Sequence, residues 1–552
     1  MSSIKNIKQS VKSIITNTGK YFHTQFYALT PLVRLNILAV LVGIVGGVGS
    51  WVFRLAINLI YEFFFLIPQR LLSNIGLSQF CGITFLLAPV LGGLIVGFFT
   101  SRVSKETKGH GVPEVLEAVV LHDGRMNLKV PFIKILASAT TIGSGGSAGR
   151  EGPIAQIGAG FASLVGQWLD LNPQEIRTLV VSGVCAGISA TFNAPIGGAL
   201  FGLEVVRRES SLNLFIPLIV SSVVGTVIGQ ILLGTNPAFE NFPMLEFHNP
   251  ALIPLFLVLG LMAGIGSAFW IKIFYKSEDI MEGLFKKFKI PELFHPAIGG
   301  FCVGLILLIT FLLTGNAAYT DGTKTFPLWE AFTIMGRTYI PMDLVFSGFL
   351  TSGVLMSVLF LLITLFILKM LATIFTVGTG GSGGVFAPTL FLGVMLGAIF
   401  GVIARDIFQI SGVNVTVFAL LGMAAFFAGT GRAPLTAIIM TAEMTNDYFL
   451  AIPLMFVVAI SWLVSGKLEH EDIYVRKLTR RGVKIQEHPL DILETIKVSE
   501  IMTPREELVI IDLKSRLETV LEIVRETKHE GFPVFDQNQF IGVITLHDVR
   551  QA

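Results

Sequence analysis

Residues 145–153 read GGSAGREGP and residues 380–388 read GGSGGVFAP, so both fit the pattern G-G-S-x-G-x-x-x-P at an offset of 235 residues. Each copy follows one apolar run and opens another. A glycine-rich loop that leads into a helix with proline in its first turn directs free backbone N–H groups and the positive end of the helix dipole forward. Two such helix starts at membrane depth predict an anion site. Only the first copy carries an acid, because Glu151 corresponds to Phe386.

The composition predicts a polytopic membrane protein. Of the 552 residues, 52% are hydrophobic and 14% are charged, whereas soluble domains average about 25% charged residues. Apolar runs extend from Leu35–Phe65 to Phe449–Val464, and a transmembrane helix needs roughly 20 such residues. Many runs are short or are interrupted by some of the 57 glycines, which predicts broken helices and close helix packing.

Basic residues flank the apolar region at both ends. Residues 1–34 hold five basic residues and no acid, and residues 476–484 hold another five basic residues. Because Lys and Arg are enriched on the cytoplasmic side of membrane spans, we expect both termini to be cytoplasmic, including an N-terminal segment at 1–30. The expected location is the cell membrane.

A second repeated pattern accompanies the glycine loops, at an offset of 239 residues. It relates four residues of one region to four of another: Gly183, Thr191, Pro195 and Glu204 to Gly422, Thr430, Pro434 and Glu443. The membrane region therefore divides into a first half at 31–240 and a second half at 250–480. Two related halves in one apolar chain are the usual construction of a transporter or an ion pathway.

The last residues have a different composition, because residues 485–552 are charged and contain prolines. The pattern predicts a strand at Leu508–Ile511, a helix at Leu517–Thr527, and strands at Phe532–Phe535 and Phe540–Ile544. This order indicates a small soluble α/β domain of β-α-β-β type.

Glu151 is the most informative single residue. An acid inside a membrane span costs several kcal/mol unless it is neutral or paired, but a helix N-terminus favours a carboxylate. The side chain is then a tethered anion that competes with a free anion, and protonation releases it. The alternative is a helix-terminal acid or an ion-pair partner of Arg150.

These residues resemble the CLC family of chloride channels and chloride/proton exchangers. Residues 109–114 (GHGVPE), 149–153 (GREGP) and 384–388 (GVFAP) are similar to three family signatures in order, and Tyr474 is similar to the family's pore-facing tyrosine. The resemblance implies an all-α membrane protein of two inverted-topology repeats with broken helices. It also implies a homodimer in the lipid bilayer, with an interface around Phe192–Leu203 and Ala433–Thr441.

The resemblance further implies a chloride site and a gate. The site is expected at the backbone N–H groups of Val385 and Phe386, the Tyr474 hydroxyl and the side chain of His110. Glu151 is the expected gate and proton carrier. Its neighbours in the signature complete the candidate anion-binding residues: Gly149, Arg150 and Gly152.

Two residues depart from the family pattern. The usual serine is His110, whose N–H can donate as a neutral ring, bind anions more tightly as an imidazolium, or point away and leave only its backbone. The second, inner glutamate of proton-coupled members is Val205, which cannot carry a proton. Glu204 is adjacent but faces another side of the helix. We therefore expect passive, channel-like conduction slightly ahead of chloride/proton antiport, with fluoride selectivity less favoured.

The tail resembles a single CBS motif at 497–552. Residues 498–504, the strands that follow, and Thr545 with Asp548 match its pattern, which implies an adenine nucleotide as a ligand. Such motifs normally occur in pairs, so either this motif pairs across a dimer or the chain is truncated. A packing module without ligand is the alternative.

Other classes of function find less support. The glycine loops lack the lysine of a phosphate-binding loop, and the nine histidines and three cysteines show no metal-ligand spacing. We expect neither an enzyme, nor a resident metal or cofactor, nor a nucleic-acid partner. A transporter of larger organic anions is less favoured, because a site between two helix starts and one tyrosine is small.

Overall fold

A computed structural model gives the architecture of the chain. It describes residues 29–74, 82–208, 212–235, 239, 250–314, 318–321, 324–327, 335–336, 339–483, 502–504, 507–527, 529, 531–537, 539–545 and 548–549. The chain divides into two compact units, Met1–Ile485 and Gln486–Ala552. Most of the predicted N-terminal segment and residues 498–501 of the CBS motif lie outside the described residues.

The first unit is built almost entirely of helices. Those of its first half are α1 (Pro31–Tyr61), α2 (Ile67–Asn74), α3 (Gly82–Phe98), α4 (Val112–Leu121), α5 (Val130–Gly143), α6 (Glu151–Trp168), α7 (Pro173–Phe192), α8 (Pro195–Phe201) and α9 (Leu212–Leu233). Those of its second half are α10 (Ile253–Lys287), α11 (His295–Thr314), α12 (Ile340–Phe346), α13 (Leu355–Thr373), α14 (Phe386–Val402), α15 (Val415–Gly431), α16 (Pro434–Thr445), α17 (Ala451–Leu468) and α18 (Val475–Arg480).

Shorter elements complete this unit. Wider π-helical turns adjoin several of the helices: Glu62–Leu66, Phe99–Val103, Gly202–Arg207, Ile374–Gly378 and Ile403–Ile407. Single 3₁₀ turns lie at Lys105–Thr107, Pro250–Leu252 and Glu292–Phe294. An antiparallel hairpin of β1 (Ala318–Asp321) and β2 (Lys324–Pro327) lies between α11 and α12.

The described residues contain nine helical segments long and apolar enough to cross a membrane. Two of these, Pro173–Phe192 and Phe386–Ile407, bury 89% and 83% of their most apolar window. The others, such as Leu355–Gly378 at 44%, leave half or more of that window uncovered by protein. The two buried segments therefore form the centre of the unit, and the chain is an integral membrane protein whose outer helices face lipid.

Several helices are too short to cross a bilayer. Helix α4 has 10 residues and α8 has seven, so they reach about 15 Å and 10 Å along their axes. The hydrocarbon core is roughly 30 Å thick. Pro113 and Pro195 lie in the first turns of these helices, where proline costs no hydrogen bond and fixes a helical φ. These are the broken helices that the sequence predicts.

The two glycine loops pair with each other. Gly149 and Gly384 are equivalent at the 235-residue offset, and each donates its N–H to the carbonyl of the other at 2.7 Å. The backbones also match, because Gly145 and Gly380 have φ of 100° and 103°, a region that strongly favours glycine. Equivalent residues that pair mutually are related by a local two-fold axis, as the inverted repeat requires.

Side chains around the loops also form hydrogen bonds in equivalent pairs between the two repeats. Ser147 N donates to Thr376 Oγ1 at 2.9 Å, and the equivalent Ser382 N donates to Thr141 Oγ1 at 3.2 Å. Ser382 also shares a hydrogen bond with Ser138 at 2.8 Å, as Ser147 does with Thr373 at 3.1 Å. Each loop is therefore held by the helix that leads into the other loop.

Each acid of the second repeated pattern binds the start of a helix in the other half. The Glu443 carboxylate accepts from the N–H groups of Ile196 and Gly197 at 3.0 and 2.7 Å, where α8 begins. The Glu204 carboxylate accepts from those of Leu435 and Thr436 at 3.0 and 2.7 Å, where α16 begins. Each acid thus supplies the acceptors that the first turn of the counterpart helix lacks.

The second unit is a small α/β fold. Strand β3 (Ile511–Asp512) pairs in parallel with β4 (Gly531–Asp536), which pairs in antiparallel fashion with β5 (Gln539–Thr545), and helix α19 (Leu517–Glu526) connects β3 to β4. The core contains Ile511, Val520, Phe532 and Val549. The order is the predicted β-α-β-β. The first strand is shorter than the predicted Leu508–Ile511 and begins at Ile511. Leu508 and Ile510 are exposed, whereas Val509 and Ile511 pack in the core.

The reciprocal caps make a prediction about stability. Glu204→Ala and Glu443→Ala should each lower the free energy of unfolding by about 1–3 kcal/mol, because each leaves two N–H groups at a helix start without an acceptor. Chemical unfolding of the purified protein in detergent measures this. Glu282→Ala is the control, since Glu282 is half exposed and pairs with Lys286 on its own helix; its effect should stay within about 0.5 kcal/mol. Unchanged stability in both cap variants would contradict the assignment.

Candidate functional site

The paired loops bring two helix starts together. Helix α6 begins at Glu151 and α14 begins at Phe386. Their first intrahelical bonds run from Ile154 N to Arg150 O and from Thr389 N to Val385 O, both at 3.0 Å. The N–H groups of Val385 and Phe386 precede these bonds and take no part in the helix ladder. They are available to an anion in front of α14.

Aromatic rings connect Phe386 to Tyr474. The Phe386 ring packs against Phe427, Phe192 and Phe201 at centroid distances of 4.5, 5.4 and 6.0 Å. Phe201 also meets the Tyr474 ring at 6.4 Å. Phe386 and Tyr474 are both 2% exposed. The structure thus brings these two predicted site residues into contact with the same ring, Phe201, in a buried environment.

Tyr474 is fixed by a polar anchor that the sequence analysis missed. Asp472 Oδ1 accepts from the N–H groups of Tyr474 and Val475 at 2.7 and 2.9 Å, and the Asp472 carboxylate pairs with Arg208 from the first half. The Tyr275 hydroxyl donates to the carbonyl of Ile473. An Asp shortly before a helix start is a common capping signal, so Asp472 was detectable. The distant partners, Arg208 and Tyr275, were not.

The Glu151 side chain is fully buried. Its Oε1 accepts a hydrogen bond from the Tyr339 hydroxyl at 2.5 Å, and its Oε2 has no hydrogen-bond partner among the described residues. That second oxygen lies against Gly149, where a Cβ would overlap it. The charges of Glu151 and Lys369 are close enough to interact, and Tyr474 also lies within range of the Glu151 charge. The carboxylate is therefore directed into the space near the helix starts.

Arg150 reaches Glu151 indirectly. Its guanidinium carbon lies 5.0 Å from the centroid of the Tyr339 ring, and the hydroxyl of that ring binds Glu151. Tyr339 and Lys369 lie 188 and 218 residues from Glu151 along the chain. Tyr339 belongs to no repeated motif, so no sequence signal pointed to it. Lys369 corresponds to Lys134 at the 235-residue offset, so an extended comparison of the two repeats could have singled it out.

His110 occupies a buried loop between α3 and α4. Its ring is edge-on to Phe274 at 5.2 Å and tilted to Tyr275 at 6.2 Å, and its Nδ1 has no hydrogen-bond partner among the described residues. Lys134 holds the loop by donating to the carbonyls of Thr107 and Gly109 at 3.1 and 3.0 Å. The carbonyl of His110 packs so closely on Gly152 that a Cβ there would overlap it.

The surroundings of His110 disfavour a charged ring. Burial, followed by the charges of Lys477, Lys134 and Arg481, holds the pKa of His110 well below its ordinary value of 6.5. This lowered pKa favours the neutral imidazole over the imidazolium, which the sequence analysis gives as an alternative. A neutral N–H donor and a backbone contribution both remain available to it.

Val205 and Glu204 occupy different environments. Val205 is fully buried in the π-helical turn Gly202–Arg207. Glu204 directs its carboxylate to the start of α16, where Thr436 Oγ1 also donates to it at 2.7 Å. The position expected for an inner proton-carrying acid is therefore apolar, and its acidic neighbour is engaged in capping a helix.

In the second unit, Thr545 and Asp548 bind each other. The N–H and the hydroxyl of Thr545 donate to Asp548 Oδ2 at 2.8 and 2.7 Å. The pattern that resembles a ribose-contacting pair is thus formed locally at the end of β5. Elsewhere in the described parts of the chain, no group of three His, Cys, Asp or Glu side chains has the arrangement of a metal site.

The fold and the site define a class of protein. Two inverted repeats of broken membrane helices, which meet at paired helix starts beside a buried acid, are the architecture of ion-transport proteins. The chain belongs to the CLC family: the family model described as voltage gated chloride channel matches residues 92–466, and the CBS domain model matches residues 498–552.

Relatives and solved structures agree with this family. The H⁺/Cl⁻ exchange transporter ClcA of Vibrio parahaemolyticus is 29% identical over 477 residues, which cover 85% of this chain and 95% of the relative. Chloride channel protein CLC-e of Arabidopsis thaliana is 28% identical and covers 93% and 75%. The structure of a slow cyanobacterial Cl⁻/H⁺ antiporter matches with a TM-score of 0.68 at 23% identity, covering 82% and 98%. A CLC-type fluoride/proton antiporter matches with a TM-score of 0.60 at 20% identity, covering 80% and 97%.

A neutral His110 predicts how the site responds to pH. His110→Ser should change chloride affinity by the same factor at pH 7.5 and pH 6.0, because the lowered pKa of His110 favours the neutral ring. Isothermal titration with chloride at the two pH values measures the factor. A loss of affinity confined to pH 6.0 would show that the ring becomes charged there.

Proposed function

We propose that this chain exchanges chloride for protons across a membrane, through a pore at the starts of α6 and α14, with Glu151 as its gate and proton carrier. The observation that carries the proposal is the buried Glu151 carboxylate, which keeps one oxygen without a hydrogen-bond partner among the described residues. Exchange is preferred to the passive conduction expected from sequence, because the relatives of similar length include proteins named H⁺/Cl⁻ exchange transporters.

Competition between two anions explains how this site gates. Chloride bound by the N–H groups of Val385 and Phe386 and by the Tyr474 hydroxyl occupies the same positive region that attracts the Glu151 carboxylate. Chloride and the ionised carboxylate repel each other strongly when both occupy this region of low dielectric. Protonation of Glu151 removes the repulsion and the attraction to the helix start together, so the side chain leaves and the anion passes.

Passive anion conduction is the second candidate. The observation that favours it is Val205, a fully buried apolar side chain where proton-coupled relatives are expected to carry an acid. Under this alternative, Glu151 still gates the pore, but protons do not cross in a fixed ratio to chloride. The same site suits small monovalent anions generally, so fluoride and nitrate compete with chloride. Flux measurements with each anion determine the order of selectivity.

We further propose a homodimer that uses the helices after the second repeated motif. Apolar side chains at matching positions of the two halves, Ile196 and Leu435, are 52% and 54% exposed, and Ile452 on α17 is 74% exposed. Burial of these side chains against a second copy gives packing in lipid. The expected orientation places both termini in the cytoplasm.

Replacement of the gate tests the role of Glu151, and the unchanged protein measured beside it separates the two candidates. We expect Glu151→Gln to conduct chloride at a rate that no longer depends on pH and to lose at least about 90% of any proton flux, since an amide neither ionises nor carries a proton. Chloride and proton fluxes are recorded together from liposomes with the purified protein. Glu282→Gln is the matched acid-to-amide control, because Glu282 is half exposed and pairs on the surface of its own helix.

The outcomes of this experiment differ between the candidates. Uphill proton movement driven by a chloride gradient in the unchanged protein supports exchange. Chloride flux without uphill proton movement would show passive conduction instead of exchange. A folded Glu151→Gln protein without chloride flux would contradict the gate assignment in both.

For the CBS motif we propose adenine-nucleotide binding to the full chain. The supporting observation is the Thr545–Asp548 pair at the end of β5, which fits the ribose-contacting pattern. Binding of ATP or AMP to the full-length protein should be detectable below millimolar concentration and should weaken at least about tenfold in Asp548→Asn, which removes a charged acceptor. No binding at millimolar nucleotide leaves the motif as a packing module.

A further inference from the structure

Tyr339 lies outside every motif found in the sequence, yet it makes the one hydrogen bond to Glu151 among the contacts described for that side chain. Its hydroxyl donates to Glu151 Oε1 at 2.5 Å. A phenol donates a hydrogen bond to an ionised carboxylate more favourably than to a neutral carboxyl group, whose own proton also needs an acceptor. The contact therefore stabilises the charged, blocking state of the gate and is lost when the side chain leaves.

Gly336, three residues before Tyr339 in the chain, contacts the loop that leads to Glu151. The N–H of Gly336 donates to the carbonyl of Gly146 at 3.0 Å. A Cβ on Gly336 would overlap the carbonyl of Ala148, so the two backbones touch. A backbone contact close to Tyr339 in sequence thus accompanies the contact between its hydroxyl and the Glu151 carboxylate.

Two further groups hold the Tyr339 ring. The Arg150 guanidinium lies 5.0 Å from the ring centroid, an arrangement that stabilises the ring when it is buried. Phe239 packs against Tyr339 at 5.8 Å and against Phe346 of α12 at 5.1 Å. Rotation of the ring away from Glu151 would break both contacts, so the hydroxyl has a defined position.

We infer that Tyr339 is a positioning residue that latches Glu151 in its ionised, blocking state and thereby sets the pH at which anion flux begins. The inference rests on the proposed role of Glu151 as the gate. The other charged and titratable groups near Glu151 are Arg150 at the start of its own helix, Lys369 of α13 and Tyr474 before α18. Tyr339→Phe keeps all three of these groups, although the hydroxyl that it removes also interacts with Arg150.

Tyr339→Phe tests the latch by removing one oxygen atom. Loss of a donor to the carboxylate favours its protonation, so the half-maximal point of chloride flux should move to higher pH, by about one pH unit for a hydrogen bond to a charged group. Flux of chloride from liposomes between pH 4.5 and 8 measures the shift. Tyr448→Phe is the matched control, because Tyr448 is 52% exposed and removal of its hydroxyl leaves the contacts of Glu151 unchanged.

A double variant distinguishes a latch from a merely structural role. In a Glu151→Gln background, Tyr339→Phe should leave chloride flux unchanged at every pH, because the group that it acts on no longer ionises. Phe239→Leu provides a second variant that keeps the hydroxyl but loosens the ring, and it should shift the flux curve less, in the same direction. Reduced flux in the double variant would overturn the latch in favour of a structural role.

Failure of the inference and failure of the gate give different results. If Glu151→Gln abolishes the pH dependence while Tyr339→Phe and Phe239→Leu leave the midpoint unchanged, the latch is wrong and the gate stands. If Glu151→Gln retains the pH dependence of the unchanged protein, the gate assignment is wrong and the latch fails with it.

Discussion

The mutual hydrogen bonds between Gly149 and Gly384 are the constraint on which the rest of the membrane unit depends. A non-helical backbone inside a membrane must satisfy its polar groups within the protein. Here each glycine loop satisfies the other, at two bonds of 2.7 Å, and hydroxyl groups from the helices before each loop complete the arrangement. This solution requires two copies of one loop, facing each other across a two-fold axis. The helix starts that follow are then fixed at the centre of the protein.

Symmetric and asymmetric acids have different roles on this scaffold. Glu204 and Glu443 are equivalent residues, and each caps the helix that follows the other half's repeated proline. Glu151 has no equivalent, because Phe386 occupies its position and packs among aromatic rings. An acid that both halves keep holds the halves together. An acid in one half alone is free for a task that only one half performs. Glu151 Oε2, which has no hydrogen-bond partner among the described residues, agrees with this distinction.

Much of the fold was predictable because it is encoded in short segments. The glycine loops, the prolines in the first turns of helices and the 239-residue pattern gave broken helices and two halves, and alternation in the tail gave its β-α-β-β order. The sequence also placed Glu151, Phe386 and Tyr474 in one region through the family resemblance. Tyr339, Lys369 and Asp472 were not identified from the sequence. Tyr339 contacts Glu151 across 188 residues without a local pattern, and the correspondence of Lys369 to Lys134 in the repeat does not indicate which residue it faces. The charge state of His110 also depends on distant groups, since two of the three cations around it belong to residues 477 and 481.

The distinction between a channel and an exchanger therefore lies outside the anion site itself. Both need the same helix starts, the same tyrosine and the same displaceable carboxylate. In an exchanger, a proton that reaches Glu151 from one side of the membrane must leave on the other side. In a channel, no such crossing of protons is required. Val205 is apolar and cannot carry a proton, and the carboxylate of its neighbour Glu204 is engaged at the start of α16. If the chain exchanges chloride for protons as proposed, the proton must pass the apolar Val205, and the barrier to that step, more than the affinity for chloride, would determine how tightly the two ions are coupled.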